Sequence, residues 1–133
     1  MAYALMKEAA QHQSWYSRRA AQAQGCDRHL MGLKLSLAPD EAVPDIFTDS
    51  AYARSSHWDL STSTLASEHF ACWGFGEVYA DGFGVGYMCN KNSFAATVTA
   101  VQGVGAQAMG EQIERALRDM HAVAMSARKA PKL

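Results

Sequence analysis

Four consecutive hydroxyls, Ser61-Thr62-Ser63-Thr64, follow Leu60, and a glycine ladder at 74, 76, 82, 84 and 86 comes after them, interleaved with aromatics. Residues two apart on a strand point to the same face, so Ser61 and Ser63 would present a pair of hydroxyls together. Such a pair suits either a plain half-exposed polar strand or a site that holds an oxygen atom. The other chemistry-bearing residues are more scattered. His12, His29, His57, His69 and His121 show no HxxxD spacing. Cys26, Cys72 and Cys89 form no CxxC pair, so they read as reduced thiols of an intracellular protein, and no zinc site is expected. No His–Asp arrangement near Cys72 or Cys89 supports a nucleophilic cysteine. The glycines contain neither GxxxxGK[ST] nor a strand-then-helix dinucleotide fingerprint. They are read structurally, with Asp81-Gly82 as a turn and Gly84 and Gly86 permitting close backbone approach.

The elements that must position these groups follow from pattern. Residues 2 to about 24 are rich in good helix formers, with Gly25 as the expected stop. Asp27 is the expected N-cap of a second helix, 28 to 38, which Leu30, Leu33, Leu35 and Leu37 should bury and Pro39 should end. APDEAVPDIFTDS reads as a loop with short helical turns. A strand is expected over 57–64, with Trp58, Leu60 and Thr62 on one face. Residues 65–72 read as a loop, and further strands are expected at 75–79, 83–89 and 94–101. Asp81-Gly82 and Asn90-Lys91-Asn92 supply the turns. Met109, Ile113, Leu117, Met120 and Ala124 recur at helical spacing and predict an amphipathic helix over 106–124, followed by a fraying basic tail. There are no internal repeats. This order of elements predicts an α+β layer structure.

Composition narrows the function classes. The 133 residues suit one domain, and 49% hydrophobic content can supply a core. A net charge of −1 and a pI near 6.5 give no reason to expect nucleic acid or an anionic membrane surface as partner. No apolar run approaches a membrane span, and the opening MAYALMKEAAQHQSW lacks the apolar centre of a signal peptide.

Four stretches, GCDRHLMGLKL, PDIFTDSAYARSSHWDLSTST, GFGEVYADGFGVGYMCNKNSFAATV and RALRDM, together resemble the C-terminal part of the choline/carnitine acyltransferases. The likeness runs from about residue 4 to residue 124, and three of its motifs (DRHL, LSTS and FGxVxxDGxGVGY) stand in register. It implies that residues 1–133 are the C-terminal portion of such a domain. The implied fold is similar to chloramphenicol acetyltransferase: a two-layer mixed sheet with flanking helices and an active-site tunnel between two halves. The implied activity is transfer of an acyl group between coenzyme A, a co-substrate, and carnitine.

The resemblance also implies roles residue by residue. Ser63 matches the serine placed to donate to the carbonyl oxygen as it gains charge. Ser61 matches the serine near the carnitine carboxylate, and Arg28 of DRHL matches the arginine that serves the same carboxylate. Choline-using relatives resemble DNHL here, so Arg28 favours carnitine. Phe75 matches an aromatic near the trimethylammonium group, although a core aromatic would look alike. Trp73 stands where long-chain members have a glycine that opens an acyl channel, so a short acyl group such as acetyl is expected.

Three positions depart from the family pattern. Thr64 replaces a common glutamine associated with the pantetheine arm, Ser14 falls near an arginine close to coenzyme A, and Glu77 replaces the proline of FGPV. The family's histidine base, its lysines for coenzyme A phosphate, and its tyrosine and threonine for the carboxylate all belong to an upstream half. A chain of this kind is expected to be a C-terminal quarter carrying half an active site, inactive alone. The alternative is a non-catalytic module that binds a partner. The ending Pro-Lys-Leu resembles the peroxisomal Ser-Lys-Leu at two positions, and mitochondrial relatives exist, so a peroxisomal or mitochondrial matrix setting is expected.

Overall fold

The computed structural model describes residues 1–65 and 67–129. They form two compact units, one of Met1–Ala53 with the helix from His121 onward, the other of Arg54–Met120.

In the first unit α1 runs over Ala2–Ala21. It stops before the expected Gly25. Ala23 takes a left-handed φ of 59° while the N–H groups of residues 22 to 24 close onto the carbonyls of Arg18, Arg19 and Ala20. Gly25, by contrast, is extended and caps α2, Cys26–Leu35. Asp27 is therefore not the N-cap. It sits in the first turn, where a negative charge still suits the helix dipole. The leucines are not buried as expected: Leu33 is 49% and Leu35 74% exposed. α2 ends at Leu35 with Ser36 as its C-cap, three residues before Pro39. The proline-punctuated loop does contain short helices, α3 (Asp45–Thr48) and α4 (Ser50–Ser55). Phe47 and Tyr52 meet edge-to-face, and the Lys34 ammonium lies over the Tyr52 ring.

In the second unit three strands form a mixed sheet in the order β1-β2-β3. β1 is Leu60–Thr64, β2 Phe83–Cys89 and β3 Phe94–Thr99. β1 and β2 are parallel, with Ser61 opposite Gly84 and Ser63 opposite Gly86. β2 and β3 form an antiparallel hairpin whose turn closes by a bond from Asn90 N–H to the Ser93 carbonyl. β1 is shorter than expected, and Trp58 lies outside it. Residues 75–79 are not a strand. Their backbone leaves the plane of the sheet and lies over β2, where the Phe75 carbonyl accepts from the Thr99 hydroxyl instead of a ladder partner.

The long helix α5, Ala106–Lys129, extends beyond the expected end at 124 and takes in part of the tail expected to fray. Within the second unit its Gly110 approaches Val98 of β3, placing α5 on the face that carries Val85. Segment 73–76 covers the opposite face of β2. Enclosed from both sides, Val85 and Met88 are the buried hydrophobic residues, 7% and 2% exposed. Among the described residues no helix is long and apolar enough to cross a membrane. Lys132 and Leu133, which carry the peroxisomal resemblance, lie outside the described residues.

Candidate functional site

The central strand explains the site's construction. β2 alternates Gly84 and Gly86 with Val85 and Tyr87, so from 84 to 86 one face is bare backbone before Met88 resumes it. A Cβ built on Gly84 would stand 2.9 Å from the Phe75 carbonyl oxygen, and one on Gly86 would stand 2.9 Å from the Trp73 carbonyl oxygen. Only glycine lets residues 73–76 settle there. Paired residues on neighbouring strands point to one face, so Ser61 and Ser63, opposite Gly84 and Gly86, share the face that this segment covers.

Two adjoining pieces of chain thus bring the sequence-derived residues together. β1 supplies Ser61, which is half-buried, with Ser63 and Thr64 exposed along the same strand. The covering segment supplies Trp73 and Phe75, both half-buried, whose rings lie 5.6 Å apart at 32°. The Trp73 indole N–H donates to the Tyr87 carbonyl at 3.3 Å, which restrains the ring against β2. Hydroxyl donors and two aromatic faces on one side of a sheet can hold a polar acyl-transfer centre and an adjacent organic cation.

Arg28 and Ser14 belong to the first unit. Arg28 stands on the first turn of α2 with its side chain 74% exposed, 4.0 Å from Asp27, and donates a weak bond to the Met31 sulfur. Its guanidinium retains donors for a carboxylate ligand. Ser14 lies inside α1 and donates to the Ala10 carbonyl at 2.9 Å. Glu77, at the departure from FGPV, is half-buried and follows the covering segment.

Sequence reasoning missed one cluster. His57 Nε2 lies 2.9 and 3.0 Å from the two carboxylate oxygens of Asp81, and the His57 ring packs on Tyr79 at 4.1 Å. Beside it Arg54 bonds Asp59. That hydrogen bond holds the Asp59 carboxyl below its ordinary range and raises the Arg54 guanidinium. His57 and Asp81 are 24 residues apart, and no local pattern joins them.

The Choline/Carnitine O-acyltransferase family profile matches residues 1–118. Human mitochondrial carnitine O-palmitoyltransferase 2 is 38% identical over 117 residues, 87% of this chain and 18% of that protein. Carnitine O-acetyltransferase of Columba livia is 35% identical over 130 residues, 95% of this chain and 21% of that protein. The mitochondrial carnitine O-acetyltransferase of Saccharomyces cerevisiae is 42% identical over 87 residues, 65% of this chain and 13% of that protein. The chain thus spans roughly a fifth or less of the length of these relatives. With a family profile covering residues 1–118, the chain belongs to the choline/carnitine O-acyltransferase family.

Proposed function

We propose that these residues form part of the active site of a carnitine O-acyltransferase that moves short acyl groups, acetyl foremost, between coenzyme A and carnitine. The observation that carries this reading is the common face of Ser61, Ser63, Trp73 and Phe75, created by the bare backbone of Gly84 and Gly86. Acyl transfer places negative charge on a carbonyl oxygen, and the Ser63 hydroxyl donates to it. Ser61 serves the carnitine carboxylate, and in the first unit Arg28 is a cation suited to a carboxylate through a charge-assisted bond. The Phe75 ring takes the trimethylammonium group.

Relatives of both acyl lengths lie at similar identity, so overall similarity does not select the chain length. Trp73 does. Its indole is held by Tyr87 and flanked by Phe75, so moving it aside to admit a long chain would break a hydrogen bond and a ring contact. Thr64 is the candidate contact to the coenzyme A arm in the second unit, and Ser14 the candidate in the first. The histidine base comes from outside these 133 residues, in a fold similar to chloramphenicol acetyltransferase. The setting is mitochondrial, as the names of two of the relatives suggest.

The test joins the chain to the upstream remainder of a family member and compares acyl donors and acceptors. Acetyl should transfer faster than palmitoyl, carnitine should be used over choline, and Trp73→Gly should shift the preference toward palmitoyl. Faster palmitoyl transfer by the unaltered chain would defeat the Trp73 argument, and preference for choline would defeat the Arg28 argument.

A further inference from the structure

Parallel strands lack the tight turn that fixes register in a hairpin. β1 and β2 are joined by residues 65–82, whose described part contains no helix or strand, so no tight turn sets their register, and contacts made by side chains and segments of the connection must do it. Register matters here more than in most sheets. A slip of one residue would turn Ser61 and Ser63 away from the covered face and onto the Val85 face.

The two strands begin at the same end of the sheet, and there the chain is tied several times. His57 Nε2 contacts both oxygens of Asp81 at 2.9 and 3.0 Å. The Tyr79 hydroxyl donates to the Ser56 carbonyl at 3.0 Å while its ring packs on His57. Phe83 N–H donates to the Asp59 carbonyl at 2.9 Å, the first rung leading into the ladder. Arg54 donates to the His57 carbonyl at 3.0 Å and also bonds Asp59, whose carboxylate lies 3.9 Å from His57. A single exposed ion pair contributes little, but a network that shares partners holds geometry better than its isolated pairs would.

We propose that Arg54, His57, Tyr79 and Asp81 form a register lock that fixes β1 on β2, and so act as positioning residues for Ser63. The lock is a statement about the sheet alone; its catalytic consequence rests on the acyl-transfer reading above. Gly84 and Gly86 select the same register from the middle of the strands by accepting segment 73–76, while the lock acts at their start.

Two measurements separate the parts. Hydrogen exchange read by mass spectrometry on the 133-residue chain should show Asp81→Asn speeding exchange of β1 roughly 10-fold or more, while β3 changes less than about twofold. Exchanging the partners, His57→Asp with Asp81→His, should restore much of the protection. Should Asp81→Asn unfold the chain, Tyr79→Phe, which removes one hydrogen bond, is read in the same way. Unchanged β1 exchange, or equal acceleration in β1 and β3, would overturn the lock whatever reaction the protein performs. In the joined enzyme, Asp81→Asn should lower kcat about 10-fold, with the KM values for carnitine and acyl-coenzyme A within about twofold, and the exchanged pair should recover it. An unchanged kcat beside accelerated β1 exchange would overturn the positioning role and leave the lock standing. A joined enzyme with no transfer activity before any substitution would overturn the acyl-transfer reading, and the positioning role with it.

Discussion

On the proposed acyl-transfer reading, replacing the Ser63 hydroxyl by hydrogen removes one donor to the charge that develops on the acyl oxygen, and little else, because the side chain is exposed on β1. In the joined enzyme Ser63→Ala should therefore lower kcat by roughly 10- to 1000-fold with small effect on KM. Arg28 differs in kind. A carboxylate is present in substrate and transition state alike, so Arg28→Asn should mainly raise the KM for carnitine. Steady-state kinetics of both variants check the contrast; a Ser63→Ala rate within about twofold of the unaltered enzyme would reduce Ser63 to a strand residue. A pH effect belongs to Asp59. The Arg54 hydrogen bond depresses its pKa, so its contribution to the fold is complete above the ordinary carboxylate range and is lost as pH falls through the depressed value. Asp59→Asn should accordingly weaken the chain near neutral pH and make little difference in strong acid, as denaturant titrations at the two pH values would show. The serines were legible in the sequence because alternation places them on one face. The His57–Asp81 contact was not, since it depends on two loops meeting at the start of parallel strands.

At the scale of elements, legibility followed the range of the contacts. β2 stands at the bounds expected from its glycine–aromatic alternation, and the Asn90 turn and the hairpin it closes depend on neighbours close in sequence. Segment 75–79 has equally strand-like residues, yet Thr99 and the bare face of β2 draw it out of the sheet. That competition is settled by residues up to 24 positions away, which a local pattern does not contain. The end of α1 shows a smaller misreading. The left-handed position falls on Ala23, not on Gly25, and an L-residue there costs roughly 1 kcal/mol relative to glycine. Ala23→Gly should therefore stabilise the first unit by up to about 1 kcal/mol, offset in part by the greater freedom of glycine in the unfolded chain. Urea unfolding followed by the Trp15 fluorescence checks it, and a loss of stability would show that the Ala23 conformation is not a cap.

The whole molecule carries more surface than its length should leave. Two separate compact domains sharing 14.5 kDa would expose about 8,300 Å². The chain exposes 10645 Å², and among the described residues the buried hydrophobic ones are Val85 and Met88. Trp58, Leu60, Leu65 and Phe94, which belong to or flank the two outer strands, are each 40% exposed or more. β1 and β3 also leave their outer backbone edges without a neighbouring strand among the described residues, a surface that invites further pairing. The composition, at 49% hydrophobic, is that of a chain with a real core, so the apolar residues are present and what they lack is cover. The chain spans roughly a fifth or less of the length of these family relatives. The 133 residues alone should be marginally stable and should self-associate. They should also transfer no acetyl group, because none of the five histidines stands in an HxxxD pattern. Sedimentation of the chain, run beside an assay for coenzyme A released from acetyl-coenzyme A in the presence of carnitine, reads both expectations. Turnover by a monodisperse monomer, abolished by replacing one of its own histidines, would establish a complete small enzyme and remove the case for a base supplied from outside.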